Sequence, residues 1–146
     1  MSVYLLDVNV LLALSWSKHA AHAVAQRWFG RNAARGWATC PFVQAGFVRI
    51  VSNPAFSAHA VTPKEALEAL EITTQHPAHQ FWPDGLGVVE ALAGLKSHLF
   101  GHQQVTDAYL LGLAIHHKGK LATLDQRVAE LLAHRPDERH LIEHIR

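Results

Sequence analysis

The sequence predicts a three-layer α/β/α sandwich on a mostly parallel central sheet, and three observations carry that prediction. Val3-Tyr4-Leu5-Leu6 is a short, unbroken apolar run of the kind buried on both faces of a parallel sheet. From Val105 to Asp125, Leu110, Leu111, Ala114 and Ile115 recur at helical spacing, and Leu121-Ala122-Thr123-Leu124 then reads as a buried strand. Strand-like and helix-like segments alternate along the chain, as in successive strand–helix–strand units. At 146 residues the chain forms one domain, residues 1–146, with ample sequence for a core.

Asp7 and Asn9 follow the first strand at once. Val10 to Leu14 then starts a helix for which Asp7 is also a natural N-cap. His19 to Ala34 is Ala-rich and helical, with Ala21, Val24, Ala25 and Trp28 inward. Arg27, Arg31 and Arg35 line its solvated side. Trp37 to Cys40 forms a second strand, and Pro41 suits the first turn of a helix from Phe42 to Val51. That helix packs through Phe42, Ala45, Phe47 and Val48, and Asn53-Pro54 stops it.

Thr62-Pro63-Lys64-Glu65 is a capping box with proline at N1, opening a helix that runs to Gln75. Phe81-Trp82 forms a third strand, and Pro83-Asp84-Gly85 turns the chain. Val88 to Leu99 reads as helix, broken by Gly101. In the next helix Thr106 stands at the N-cap, Asp107 in the first turn and Gly119 just past the end. After Asp125, Val128, Leu131 and Leu132 support a short helix ended near Pro136, and Leu141-Ile142 supplies an edge strand.

Composition narrows the function. A formal charge of +1 gives no broad basic field for nucleic acid, although twelve histidines add positive charge at mildly acidic pH. The single Cys40 excludes an internal disulfide framework and fits a reducing compartment. Asp7 and Asn9 interrupt the first apolar run, which is too short and polar to span a bilayer and lacks a signal peptide's basic start. The expectation is a cytoplasmic protein without membrane contact. His19 with His22, and His98 with His102, have spacings that suit a softer metal, but no cysteine accompanies them and Gly101 breaks the second pair. They are read as surface or half-buried histidines, and the four tryptophans as core or interface residues.

Three aspartates stand in comparable places: Asp7 after the first strand, Asp107 at a helix start and Asp125 after a late strand. In parallel sheets, ligands gather at the carboxyl ends of the strands. Carboxylates brought together there repel unless a cation lies between them, and hard oxygen ligands suit Mg²⁺ or Mn²⁺. Such a cation activates water and neutralises phosphoryl charge. Spacing by itself does not distinguish this from three dispersed aspartates.

The sequence resembles PIN-domain proteins, in the group of VapC-type toxins of bacterial toxin–antitoxin pairs. The resemblance rests on Tyr4-Leu5-Leu6-Asp7-Val8-Asn9-Val10-Leu11-Leu12, Cys40-Pro41 through Gly46-Phe47-Val48-Arg49, Val105-Thr106-Asp107-Ala108-Tyr109-Leu110 and Leu121-Ala122-Thr123-Leu124-Asp125, in order across nearly the whole chain. It implies a metal-dependent endoribonuclease, a homodimer, silenced by a cognate antitoxin protein. It places the family's acidic, metal-holding positions on Asp7, Asp107 and Asp125 and its polar helpers on Asn9 and Thr123. It also implies in-line attack by activated water on an RNA phosphate, leaving a 3′-hydroxyl and a 5′-phosphate.

One position departs from the pattern: Gln44 stands where the family commonly has a glutamate in the helix after the second strand. An amide can orient a metal-bound water but brings no charge, so weaker metal binding, or loss of a second metal, is expected. Asp84 either makes up that charge or simply serves its Pro-Asp-Gly turn. The alternative function is a non-catalytic RNA- or protein-binding module on the same fold. Clustered carboxylates facing phosphates favour the enzyme. A nucleotide-binding module is excluded by the lack of a glycine-rich loop after the first strand.

Overall fold

β1 (Tyr4–Leu6) occupies the centre of a five-stranded sheet. The computed structural model describes residues 2–146. The other strands are β2 (Trp37–Thr39), β3 (His79–Phe81), β4 (Lys120–Thr123) and β5 (Ile142–His144). Their order across the sheet is β3-β2-β1-β4-β5, and every pairing is parallel. The chain builds outward from β1 to β3, then returns to lay β4 on the other side of β1. The order therefore reverses between β1 and β4, and a crevice opens at such a switch point beyond the strand ends.

Side chains alternate across this sheet as a strand's period of two requires. Leu5, Ala38 and Leu121 join the larger core, together with Val43 and Phe47 and with Leu110, Leu111 and Leu113. Tyr4, Leu6, Trp37 and Ala122 face the opposite side, where they meet Trp28, Val10 and Ile145. The two cores make the sandwich three-layered. Six helices cover the faces: α1 (Val8–Ser15), α2 (His22–Asn32), α3 (Pro41–Val51), α4 (Pro63–Thr74), α5 (Val88–Leu92) and α6 (Val105–His116). None of the helices is long and apolar enough to cross a membrane, among the described residues.

Local signals place several elements as expected. Thr62 and Glu65 form the reciprocal capping box of α4, and Pro41 opens α3. Trp28, Trp37 and Trp82 are buried, while Trp16 is half-buried against Phe56. Elsewhere tertiary contacts override the pattern. α5 stops at Leu92, and only a 3₁₀ turn at Lys96–His98 follows. Gly94 weakens the helix there, and the Arg135 guanidinium donates to its carbonyl at 3.0 Å.

Thr106 is not the cap of α6. A 3₁₀ turn at His102–Gln104 runs straight into the helix, Gln104 takes the N-cap place, and Thr106 falls inside. The Gln104 side-chain oxygen accepts from Phe100 N–H at 2.7 Å and Gly101 N–H at 3.3 Å, which fixes that turn. Residues Ala108 to Ala114 of α6 are all buried, so the helix is enclosed rather than amphipathic.

At its end, Lys118 takes a positive φ of 59°. Gly119 N–H donates to Ala114 O and Lys118 N–H to Ile115 O, a Schellman closure. Gly119 is needed for space: a Cβ there would lie 2.6 Å from the Val3 carbonyl oxygen and 2.7 Å from the Trp82 ring. In α3 the inward residues are Val43 and Phe47, whereas Phe42 and Ala45 are exposed. The segment after Asp125 is 3₁₀ rather than α-helix, spanning Gln126–Leu132 and Pro136–Leu141.

Candidate active site

The switch point brings acidic residues together. Asp7 is the first residue past β1 and still takes part in the ladder, its N–H donating to Ala122 O on β4 at 3.2 Å. Its Oδ1 accepts from Val10 N–H at 2.9 Å and so caps α1. Both the capping role and a place at the sheet edge thus fall to one carboxylate. Its residue is only 7 % exposed. Burial pushes its pKa up from 3.8 to about 6 against the lowering effect of a hydrogen bond from Thr123, and the charges of Asp107 and Asp125 add to the rise.

Asp107, half-buried in the first turn of α6, is likewise raised by burial and by the charge of Asp125. Asp7, Asn9 and Asp107 border one hollow, of about 420 Å³, between α1, α3 and α6, with Arg49 on its α3 wall. Asp107 also borders a second cleft, of about 470 Å³, shared with Asp125. Asp107 is the common wall of the two spaces.

Thr123 is fully buried at the end of β4. Its hydroxyl accepts from Asp125 N–H at 3.1 Å, and its nearness to Asp7 opposes the rise of that carboxyl's pKa. Asp125 itself is held by Arg127, whose Nη2 donates to Oδ2 at 2.9 Å and whose Nε donates to Oδ1 at 3.1 Å. That guanidinium holds the Asp125 carboxyl below the usual carboxylate range. Its side chain reaches solvent, so the pair is open to exchange.

Gln44 turns another way. Its Nε2 donates to Thr39 Oγ1 at 3.0 Å, and Thr39 Oγ1 lies 2.8 Å from His79 Nε2. α3 contributes Phe42, Ala45, Gly46, Arg49 and Ile50 to the Asp7 hollow, and Gln44 borders neither space. Asp84 is exposed, and its charge raises the pKa of Cys40, pushed up to about 11 chiefly by burial, and of Tyr109. Asp84 is not among the charges that act on Asp7.

The donor set fits a hard divalent cation. Asp7, Asp107 and Asn9, which border the hollow, offer carboxylate and amide oxygens, the preference of Mg²⁺ and Mn²⁺. Among the described residues no Lys or Arg forms an ion pair with the buried Asp7 carboxylate. Two carboxylates with waters and substrate oxygens suffice for Mg²⁺. As arranged, no three His, Cys, Asp or Glu side chains among the described residues converge on one point. Asp125 is the member engaged elsewhere, by Arg127.

Sequence reasoning did not anticipate Arg127, Arg49 or Phe100 at these spaces. Arg127, two residues beyond Asp125, carried a signal in its spacing. Phe100 carried none, because an apolar residue between helices reads as core.

A doubly wound parallel sheet with carboxylates at its switch point defines a class of acidic-site α/β domains. The PIN domain model matches residues 4–132, and the chain belongs to the PIN-domain family. It is 43 % identical over 126 residues to ribonuclease VapC39 of Mycobacterium tuberculosis, covering 86 % of this chain and 91 % of that one. Ribonuclease VapC44 of the same organism is 40 % identical over 125 residues, covering 86 % and 87 %. The fold is shared with VapBC2 from Rickettsia felis, solved bound to a DNA fragment from its promoter. There the TM-score is 0.60 with 12 % identity over 99 % of both chains. FitAcB from Neisseria gonorrhoeae matches with a TM-score of 0.59 and 17 % identity over 86 % of this chain and 90 % of that one.

Proposed function

We propose that this protein is a metal-dependent endoribonuclease, the toxin of a toxin–antitoxin pair. The observation that carries the proposal is the buried, cation-free Asp7 carboxylate facing a hollow shared with Asp107 and Asn9. The ribonuclease names of relatives at 40–43 % identity support it.

Asp7 and Asp107 would hold the ion, Asn9 would orient a water, and Thr123 would keep Asp7 ionised by donating to it. Asp125 would act from the next shell or join when Arg127 releases it. A bound Mg²⁺ or Mn²⁺ would supply Lewis acidity and an activated water. Arg49, exposed on the rim of the hollow, would position the RNA backbone by a phosphate contact. Water oxygen attacks phosphorus in line and the bond to O3′ breaks, leaving a 3′-hydroxyl and a 5′-phosphate.

The proposed partners are RNA as substrate, a cognate antitoxin protein as inhibitor, and a second copy in a homodimer. The VapBC2 and FitAcB neighbours are consistent with a protein partner. A non-catalytic module has no use for a buried carboxylate without an ion-pair partner, which sets that alternative second.

Asp7→Asn tests the proposal. Purified wild type should cleave single-stranded RNA in Mg²⁺ and stop when the ion is chelated, and Asp7→Asn should lose at least about 100-fold in rate with its circular dichroism unchanged. Equal cleavage by the two, with contaminating nuclease excluded, rules out the assignment.

A further inference from the structure

The cleft shared by Asp107 and Asp125 has a wall that the proposed hydrolysis does not use. Phe100 is 85 % exposed, on the loop leading into α6. That loop is pinned rather than slack. Phe100 N–H and Gly101 N–H both donate to Gln104 Oε1, and the preceding Leu99 packs against the main core. Phe100 itself belongs to neither core. A large aromatic ring is thus presented to solvent by an ordered backbone, at the edge of a cleft of about 470 Å³.

The rest of the lining suits one partner chemistry. Val128 and Leu131 form an apolar floor, His102 and Gln103 offer polar edges, and the carboxylates of Asp107, Asp125 and Glu130 line the remainder, with the exposed Arg127 guanidinium paired to Asp125. A flat apolar face with hydrogen-bonding groups around it matches a nucleobase, and Arg127, on turning from Asp125, is the cation of this lining that would meet its phosphate. Asp107 borders both spaces, so a nucleotide held in this cleft lies beside a residue of the Asp7 hollow.

We propose that this cleft is a nucleotide subsite in which Phe100 stacks on one unpaired base next to the phosphate to be cut. The assignment rests on the ribonuclease proposal and adds to it a base-positioning residue. The RNA is single-stranded or looped at the cut, since a base inside a duplex keeps its face covered. Phe100 binds and positions; it takes no part in the chemical step.

The probe is a short single-stranded RNA of randomised sequence, and its duplex form, with binding measured in the Asp7→Asn background. Phe100→Ala should weaken single-strand binding by about 10-fold, the effect of losing one base–aromatic stack, and leave duplex binding unchanged. Phe100→Leu should behave like Phe100→Ala, whereas Phe100→Trp should restore binding. 2-Aminopurine placed along the strand should be quenched at one position, and Phe100→Ala should abolish that quenching. In the otherwise wild-type protein Phe100→Ala should raise KM by the same factor, with the loss confined to KM. Phe100 is exposed, so the thermal midpoint of each variant should stay at the wild-type value.

Binding and KM of Phe100→Ala equal to wild type, in a protein that still cleaves RNA, overturn the subsite and leave the ribonuclease standing. A wild type that neither binds nor cleaves RNA overturns both. A changed molar mass for Phe100→Ala in light scattering assigns Phe100 to an interface between protein chains and overturns the subsite.

Discussion

Asp7 is asked to do two things that conflict without a cation. Its Oδ1 caps α1, which keeps the carboxyl buried, and burial lifts its pKa from 3.8 to about 6. The folded state then binds the proton more tightly than the unfolded chain does. The resulting stabilisation is complete below pH 3.8 and is lost as pH rises through about 6. Two units correspond to about 3 kcal/mol. Metal-free wild type should therefore lose stability between pH 4 and 7 relative to Asp7→Asn, because the amide keeps the cap and removes the buried charge. Urea denaturation across that range checks it; parallel profiles for the two proteins would contradict burial of the Asp7 charge as the cause.

Gln44 supports a second prediction at the same scale. Its amide is spent on Thr39, outside both acidic spaces. Gln44→Glu should then leave Mn²⁺ affinity within about two-fold of wild type, since the new carboxylate points at Thr39 and borders neither acidic space. A larger gain by calorimetry would show that the side chain swings into the hollow. The sequence identifies Gln44 as a departure from the family pattern but cannot say which way its side chain turns. The orientation depends on Thr39, at the end of β2 just before α3, and on His79, which is distant in sequence and reaches Thr39 only through the pairing of β2 with β3. The Asp125–Arg127 pair is local and was open to inference from spacing; the exposure of Phe100 was not.

At the scale of elements, capping signals and apolar runs located most helices and all five strands to within a few residues. The misplacements have physical causes. Val88–Leu99 carries a helical pattern, but Gly94 and the reach of Arg135 end α5 early. Thr106 is a good cap residue, yet Gln104 holds the preceding turn and begins α6 sooner. Gly112 fixes the distance between those two helices: a Cβ there would run into the Ala91 carbonyl oxygen. Backbone cannot give way as a side-chain tip can, so Gly112→Ala should cost about 1–3 kcal/mol in urea unfolding. A loss under about 0.5 kcal/mol would mean that α5 moves freely on α6.

At the scale of the whole molecule, the switch point explains why Asp7 and Asp107 border one hollow and Asp107 and Asp125 a second cleft. Alternation of strands and helices was legible and implied a parallel sheet, but strand order was not. The order β3-β2-β1-β4-β5 puts the ends of β1 and β4 side by side. Charge at this scale is nearly balanced, at +1, with Arg49 and Arg127 the cations at the two acidic spaces. RNA binding should accordingly depend only weakly on salt. Two phosphate contacts give a slope of about −1.4 in a plot of log affinity against log salt for a single strand. A slope steeper than about −4 would demand a basic surface that lies elsewhere.

Everything proposed for the site depends on the Asp7 carboxylate standing in a buried hollow, ready for a divalent cation. Titration of its side-chain carbon by ¹³C NMR, with and without Mg²⁺, reads that carboxylate itself. The midpoint should lie at about 6 in metal-free protein and shift to lower pH as Mg²⁺ is added, because the ion favours the ionised form. A midpoint near the ordinary 3.8, unmoved by millimolar Mg²⁺, would mean that Asp7 is neither buried nor a ligand.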